Sequence, residues 1–134
     1  MSTPTRLSRF SPVFPVKDLR AALEHYAALG FETHGHGDED FYGFADRDGV
    51  GLHLSLNYDD HEHEHEHEHP DHDLSPAVAY LYVEDADALA AEWTGPGIGG
   101  TTNPVLDTPY GLREGGHVDP DGNIIRFGSP MPGR

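Results

Sequence analysis

The stretch Asp107 to Phe127 reads DTPYGLREGGHVDPDGNIIRF, and it decides how the rest of the chain is read. Asp119-Pro120-Asp121-Gly122 is turn chemistry, because proline presets one backbone dihedral and glycine admits positive φ. The segments on either side can pair as a hairpin. After the turn, Ile124, Ile125 and Phe127 form an apolar run broken by Arg126, so one side of that strand faces something other than core. An earlier turn, Asp46-Arg47-Asp48-Gly49, leads into Val50-Gly51-Leu52-His53-Leu54 in the same way. Superposing the two turns puts His53 at the position of Arg126. The chain reads as two copies of one unit.

Upstream of each turn the repeat continues at an offset of 67 residues. Val16 matches Val83, Asp18 matches Asp85, Tyr26 matches Trp93, Gly30 matches Gly97 and Phe31 matches Ile98. Asp18 is a helix N-cap, and Leu19, Ala22, Leu23, Tyr26 and Leu29 follow the i, i+3, i+4 spacing of an amphipathic helix that ends at Gly30. Phe10 to Val16 reads as a strand whose two prolines place it at an edge. Phe31 to Thr33, Phe41 to Ala45 and Val50 to Leu56 read as further strands, the last with clear period-two alternation. Ala77 to Val83 is the next strand and Asp85 to Trp93 the next helix. Each unit is strand, helix, then about three strands. The expected fold is α+β, with two βαβββ modules whose curved mixed sheets enclose a cleft. Module 1 spans about 10–57, a His/Glu-rich loop 58–76, and module 2 about 77–130, all within one domain of 1–134. The period is too long for a solenoid, so this is a duplicated module.

The chain has 134 residues, 36 % of them hydrophobic, and no cysteine. That excludes disulfides, thiolate metal sites and cysteine nucleophiles. The opening MSTPTRLSRFSP lacks the apolar core of a signal peptide, and no run approaches the roughly 20 apolar residues that span a bilayer. A soluble cytoplasmic protein is expected. The formal net charge is −16, half of it contributed by residues 59–73. Nucleic acid is therefore an unsuitable partner, whereas a cationic ligand would be attracted.

The modules carry motifs that resemble the vicinal-oxygen-chelate superfamily, which includes glyoxalase I, extradiol dioxygenases, fosfomycin-resistance enzymes and bleomycin-resistance proteins. The motifs are Pro12 to Asp18, Leu29-Gly30-Phe31, Asp40 to Gly43, Leu52 to Ser55, Ala79 to Val83, Ala91-Glu92-Trp93, and Pro109 to Phe127 with Leu112 as one extra residue. The chain is most similar to the bleomycin-resistance branch. Enzymes of the superfamily hold a divalent metal on four positions, which register transfers to Ser11, His53, Val78 and Arg126. Only His53 is a good ligand, since valine has no donor and a guanidinium keeps its proton. The resemblance therefore implies a non-catalytic binder that needs no cofactor. It also implies a homodimer with clefts between subunits and an N-terminal strand that crosses to the partner.

Strand parity supplies the cleft side chains. Val78, Tyr80 and Tyr82 share one face, as do Gly51, His53 and Ser55, and Ile124, Arg126 and Gly128. Two tyrosines, a histidine and an arginine suit a flat polar aromatic ligand. The resemblance adds Phe41 and Tyr110 as the aromatic pair that sandwiches a drug. Glu114 either pairs with Arg113 or meets a cationic group on the ligand. Tyr26 and Trp93 are expected core anchors.

His61, His63, His65, His67 and His69 alternate with glutamates and are followed by His72. Such a tract can bind Ni²⁺, Zn²⁺ or Cu²⁺ weakly and adventitiously. Three functions follow. The first is antibiotic resistance by sequestering a bleomycin-type or other large planar aromatic product. The second is a metal-dependent glyoxalase-like or dioxygenase-like enzyme that uses His53 with His117 or Glu114. The third is metal handling by the tract.

Overall fold

The computed structural model describes residues 3–37, 41–56 and 75–131. The His/Glu tract and Asp40 lie outside these residues. Module 1 runs β1 (Val13–Val16), α1 (Leu19–Ala28), β2 (Glu32–Gly35), β3 (Tyr42–Arg47) and β4 (Val50–Leu56). Module 2 runs β5 (Val78–Tyr82), α2 (Ala86–Trp93), β6 (Thr101–Asp107), β7 (Leu112–Val118) and β8 (Ile124–Pro130). Each module folds into a four-stranded mixed sheet, in the orders β1-β4-β3-β2 and β5-β8-β7-β6. The first strand of each lies parallel to the last, and the other pairs are antiparallel.

The helices start where the sequence places them. Asp18 and Asp85 are extended residues whose carboxylates accept from the backbone N–H three residues on, Ala21 and Ala88. Gly30, at φ +96°, lets the chain leave α1 in a left-handed conformation closed to most residues. The first strand is shorter than expected. Phe10 and Ser11 lie outside the sheet, and pairing begins with Val13 opposite His53 of the same chain. Leu7 and Phe10 stand 90 % and 97 % exposed on the preceding arm.

The two turns that suggested the repeat are built differently. Asp48 and Gly49 both have positive φ and form a two-residue hairpin closed by Arg47 opposite Val50. The later loop needs five residues, Asp119 to Asn123, between Val118 and Ile124. It serves as the joint between modules. The Asp119 carboxylate accepts from the Asp121 and Asn123 backbone N–H groups and from the Tyr26 hydroxyl on α1, the last at 2.7 Å. The Asn123 side chain donates to the Pro15 carbonyl and accepts from Ala77 N–H. Lys17 N–H donates to Asp121.

One core serves both modules. Phe14, Val16, Tyr26, Leu29 and Leu54 from the first meet Trp93, Ile125 and Phe127 from the second. Tyr26 and Trp93 are 1 % and 2 % exposed, so both are core anchors as expected. Tyr26→Phe removes one of the two buried donors to Asp119 Oδ2 and leaves that charged oxygen to Asn123 Nδ2, with little change in volume. The expected cost is about 1–3 kcal/mol, read as a lower urea midpoint with an unchanged m-value. Among the described residues no helix is long and apolar enough to cross a membrane.

Candidate functional site

Alternation decides what each sheet shows to solvent. In β4, Leu52 and Leu54 enter the core while Gly51, His53 and Ser55 face away from the helices. In β3, buried Gly43 and Ala45 alternate with Tyr42 and Phe44 on that same open face. The open face of module 1 is thus aromatic. The His53 ring lies 5.0 Å from Phe44 and 5.5 Å from Tyr42, both edge-on, and the Tyr42 hydroxyl is 2.8 Å from His53 Nδ1. His34 stacks on Phe44 at 5.1 Å, and His36 meets it edge-on. Only His53 of this group was picked out from sequence. Tyr42 and Phe44 were legible in the Tyr-Gly-Phe-Ala alternation, where the small residues are the ones that fit under α1. Phe41, half-buried, directly precedes β3, and parity sets it with Gly43 rather than with Tyr42.

The open face of module 2 combines aromatic rings with charge. Val78, Tyr80 and Tyr82 are exposed along β5, while Ala79 and Leu81 pack on the core. The Tyr80 and Tyr82 rings are 5.0 Å apart. Arg126 sits opposite Tyr80, its guanidinium carbon 5.7 Å from that ring centre. Glu114 on β7 ties the face together. It accepts from Arg126 Nη2 at 3.0 Å and from the Tyr110 hydroxyl at 2.8 Å. Burial acts against the Glu114 charge, but hydrogen bonds from Tyr80, Tyr110 and Arg126 outweigh it and hold the carboxyl below its usual range. Burial, followed by the hydrogen bond to Glu114, pushes the Tyr80 phenol up to about 12. The structure therefore gathers Tyr80, Tyr82, Tyr110, Glu114 and Arg126 into one cluster, and sets His53 among the rings of module 1.

The Arg113–Glu114 pair read from sequence does not form. Neighbours on a strand point to opposite faces, and Arg113 turns to the helix side. There it binds Asp87 at 2.7 Å and Asp107 at 2.9 Å. His117 is also no partner for His53. It is 1 % exposed and bonded to His25 on the helix side of its sheet.

A groove of about 500 Å³ runs between the modules, lined by Ser11, Pro12, Gly51, Val78, Tyr80 and Ile125. The superfamily's metal positions Ser11 and Val78 lie here. The donors at the four positions do not fit a divalent metal. Val78 offers carbon, Arg126 offers a cation bound to Glu114, and His53 Nδ1 is engaged by Tyr42. Among the described residues no group of three or more His, Cys, Asp or Glu side chains could hold a metal ion.

The fold has many solved counterparts. A glyoxalase-related enzyme from Clostridium phytofermentans aligns over 97 % of this chain and 100 % of its own, with TM-score 0.73 and 18 % identity. The antibiotic binding protein TnmS3 from Streptomyces sp. CB03234 aligns over 96 % and 100 %, with TM-score 0.67 and 22 % identity. The bleomycin-binding protein of Streptomyces verticillus, complexed with copper(II)-bleomycin, aligns over 94 % and 100 %, with TM-score 0.59 and 24 % identity. At these identities the likeness concerns the fold. No curated protein sequence matches the chain. The profile of the Glyoxalase/Bleomycin resistance protein/Dioxygenase superfamily matches residues 7–127. The duplicated βαβββ architecture and this match over nearly the whole chain place the protein in the glyoxalase/bleomycin resistance protein/dioxygenase superfamily.

Proposed function

We propose that the protein is a non-catalytic binder that sequesters a bleomycin-type or other large planar aromatic natural product. The observation that carries this reading is the module 2 face, where Tyr80, Tyr82 and Tyr110 surround a hydrogen-bonded Glu114–Arg126 pair. Rings supply stacking area, and the carboxylate and guanidinium supply directed polar contacts. The aromatic face around Tyr42, Phe44 and His53 supplies a second wall. The net charge of −16 favours a ligand with cationic groups.

The ligand sits between two copies of the chain. Leu7, Phe10, Val78, Tyr82 and Tyr110 are all more than half exposed, and a homodimer covers them. The N-terminal arm before β1 crosses to the partner. No cofactor is required, and metal held by His61 to His72 is incidental.

Sequestration leaves the drug unchanged. The test incubates EDTA-treated protein with bleomycin, denatures the complex and recovers the drug for mass spectrometry. Quantitative return of intact drug is expected. A modified product, or turnover that appears only with added metal, would establish the enzymatic reading suggested by the fold's likeness to a glyoxalase-related enzyme.

A further inference from the structure

We infer that His25 and His117 form a proton-operated latch between the two modules. His25 lies on α1 and His117 on β7. They are 8 % and 1 % exposed, with stacked rings and their Nε2 atoms 2.9 Å apart. At that distance one nitrogen carries a hydrogen and the other is bare. The surroundings decide which. Thr102 Oγ1 lies 2.7 Å from His117 Nδ1 and donates its single hydrogen to the Trp93 carbonyl. His117 Nδ1 therefore carries the N–H that Thr102 accepts. His117 Nε2 is bare and accepts from His25 Nε2–H. One neutral tautomer of each ring satisfies the whole chain from α1 through β7 and β6 to α2.

The two possible added protons act differently. A proton on His25 Nδ1 keeps the contact and makes it charge-assisted. That atom lies on the side of Gly99, where a Cβ would come within 3.7 Å of it. A small cavity beside His25 is lined by Lys17, Asp18, Asp119 and Asp121. A proton on His117 Nε2 sets N–H against N–H, and the contact has to part. The uncharged neighbours are the edge of the Tyr26 ring, the Trp93 ring and the Thr102 hydroxyl. Asp119 and Asp121 favour a proton on His25, but burial outweighs them and holds His25 below 6.5. Burial, then repulsion from a charged His25, brings His117 down to about 4.

The sign follows from linkage. Between pH 6.5 and about 4 the unfolded chain binds more protons at these rings than the folded one, so stability falls as pH falls. The latch contributes fully above pH 6.5 and is lost through this window. For His117 alone the change in the folding equilibrium is roughly a hundredfold.

Urea denaturation of the full chain at pH 7 and pH 4.5, for wild type and His117→Gln, tests the latch. Trp93 is the only tryptophan, and its ring lies 5.5 Å from His117, so its fluorescence reports on the joint directly. Wild type is expected to lose roughly a hundredfold in folding equilibrium over this range, and His117→Gln less than about tenfold. Equal losses would overturn the latch. Imidazole nitrogen NMR on the wild type provides a second test should the variant fail to fold. At pH 5.5 His117 is expected to be neutral with its proton on Nδ1, and a doubly protonated His117 at that pH would overturn the inference.

Discussion

Trp93→Ala is expected to cost about 3–5 kcal/mol, the largest single-residue loss of stability in the protein. The indole is 2 % exposed and belongs to both modules. Its ring contacts Phe127 edge-on at 5.6 Å within its own module and Phe31 at 6.4 Å in the other. Its Nε1–H donates to the Leu29 carbonyl at the end of α1, 3.0 Å away. Truncation opens a cavity at the joint and removes that hydrogen bond, leaving the carbonyl to Arg47 Nη1 at 2.8 Å. A loss of this size is a large share of the roughly 5–15 kcal/mol that a domain possesses. Trp93→Phe keeps most of the ring area and costs less. Urea unfolding followed by far-UV circular dichroism separates the two variants. A cost below about 1 kcal/mol for Trp93→Ala would mean that the modules do not depend on this shared anchor.

Tyr80→Ala and Tyr110→Ala are each expected to weaken ligand binding by about 10- to 100-fold, with little effect on stability. Losses of about 2 kcal/mol, roughly 30-fold, are typical of aromatic residues that anchor an interface. Both side chains stand on the open face, and neither belongs to the core. Their effects should not add, because both hydroxyls bond Glu114 and removing either leaves that carboxylate to the other and to Arg126. Isothermal calorimetry on the two single variants and the double variant reads the coupling. Wild-type affinity in both single variants would remove the module 2 face from the ligand site.

The fold was legible because two periodicities repeat at one spacing. The Asp18 and Asp85 caps, the apolar stripe through Tyr26 and the alternation around Leu52 and Leu54 each followed from local rules, and each module forms one mixed sheet. The site was legible only where parity applied. Tyr80, Tyr82, His53 and Arg126 face away from the helices, as their strand positions required. Pairings set by tertiary contact were not. Arg113 and Glu114 are adjacent in sequence but lie on opposite faces of β7, and Arg113 finds its partners in α2 and β6. The His25–His117 contact spans 92 positions, and nothing in either local pattern announces it. The role of Asp119 and Asn123 in joining the modules was hidden for the same reason, since a turn motif specifies its own bend and not what its side chains reach.

The most direct measurement is calorimetric titration of chelator-treated protein with metal-free bleomycin, with copper-loaded bleomycin and with a planar enediyne-type antibiotic. Saturable binding near one ligand per subunit, persisting without metal and weakened by Tyr80→Ala and Tyr110→Ala, is the expected result. No binding to any of the three would contradict drug sequestration.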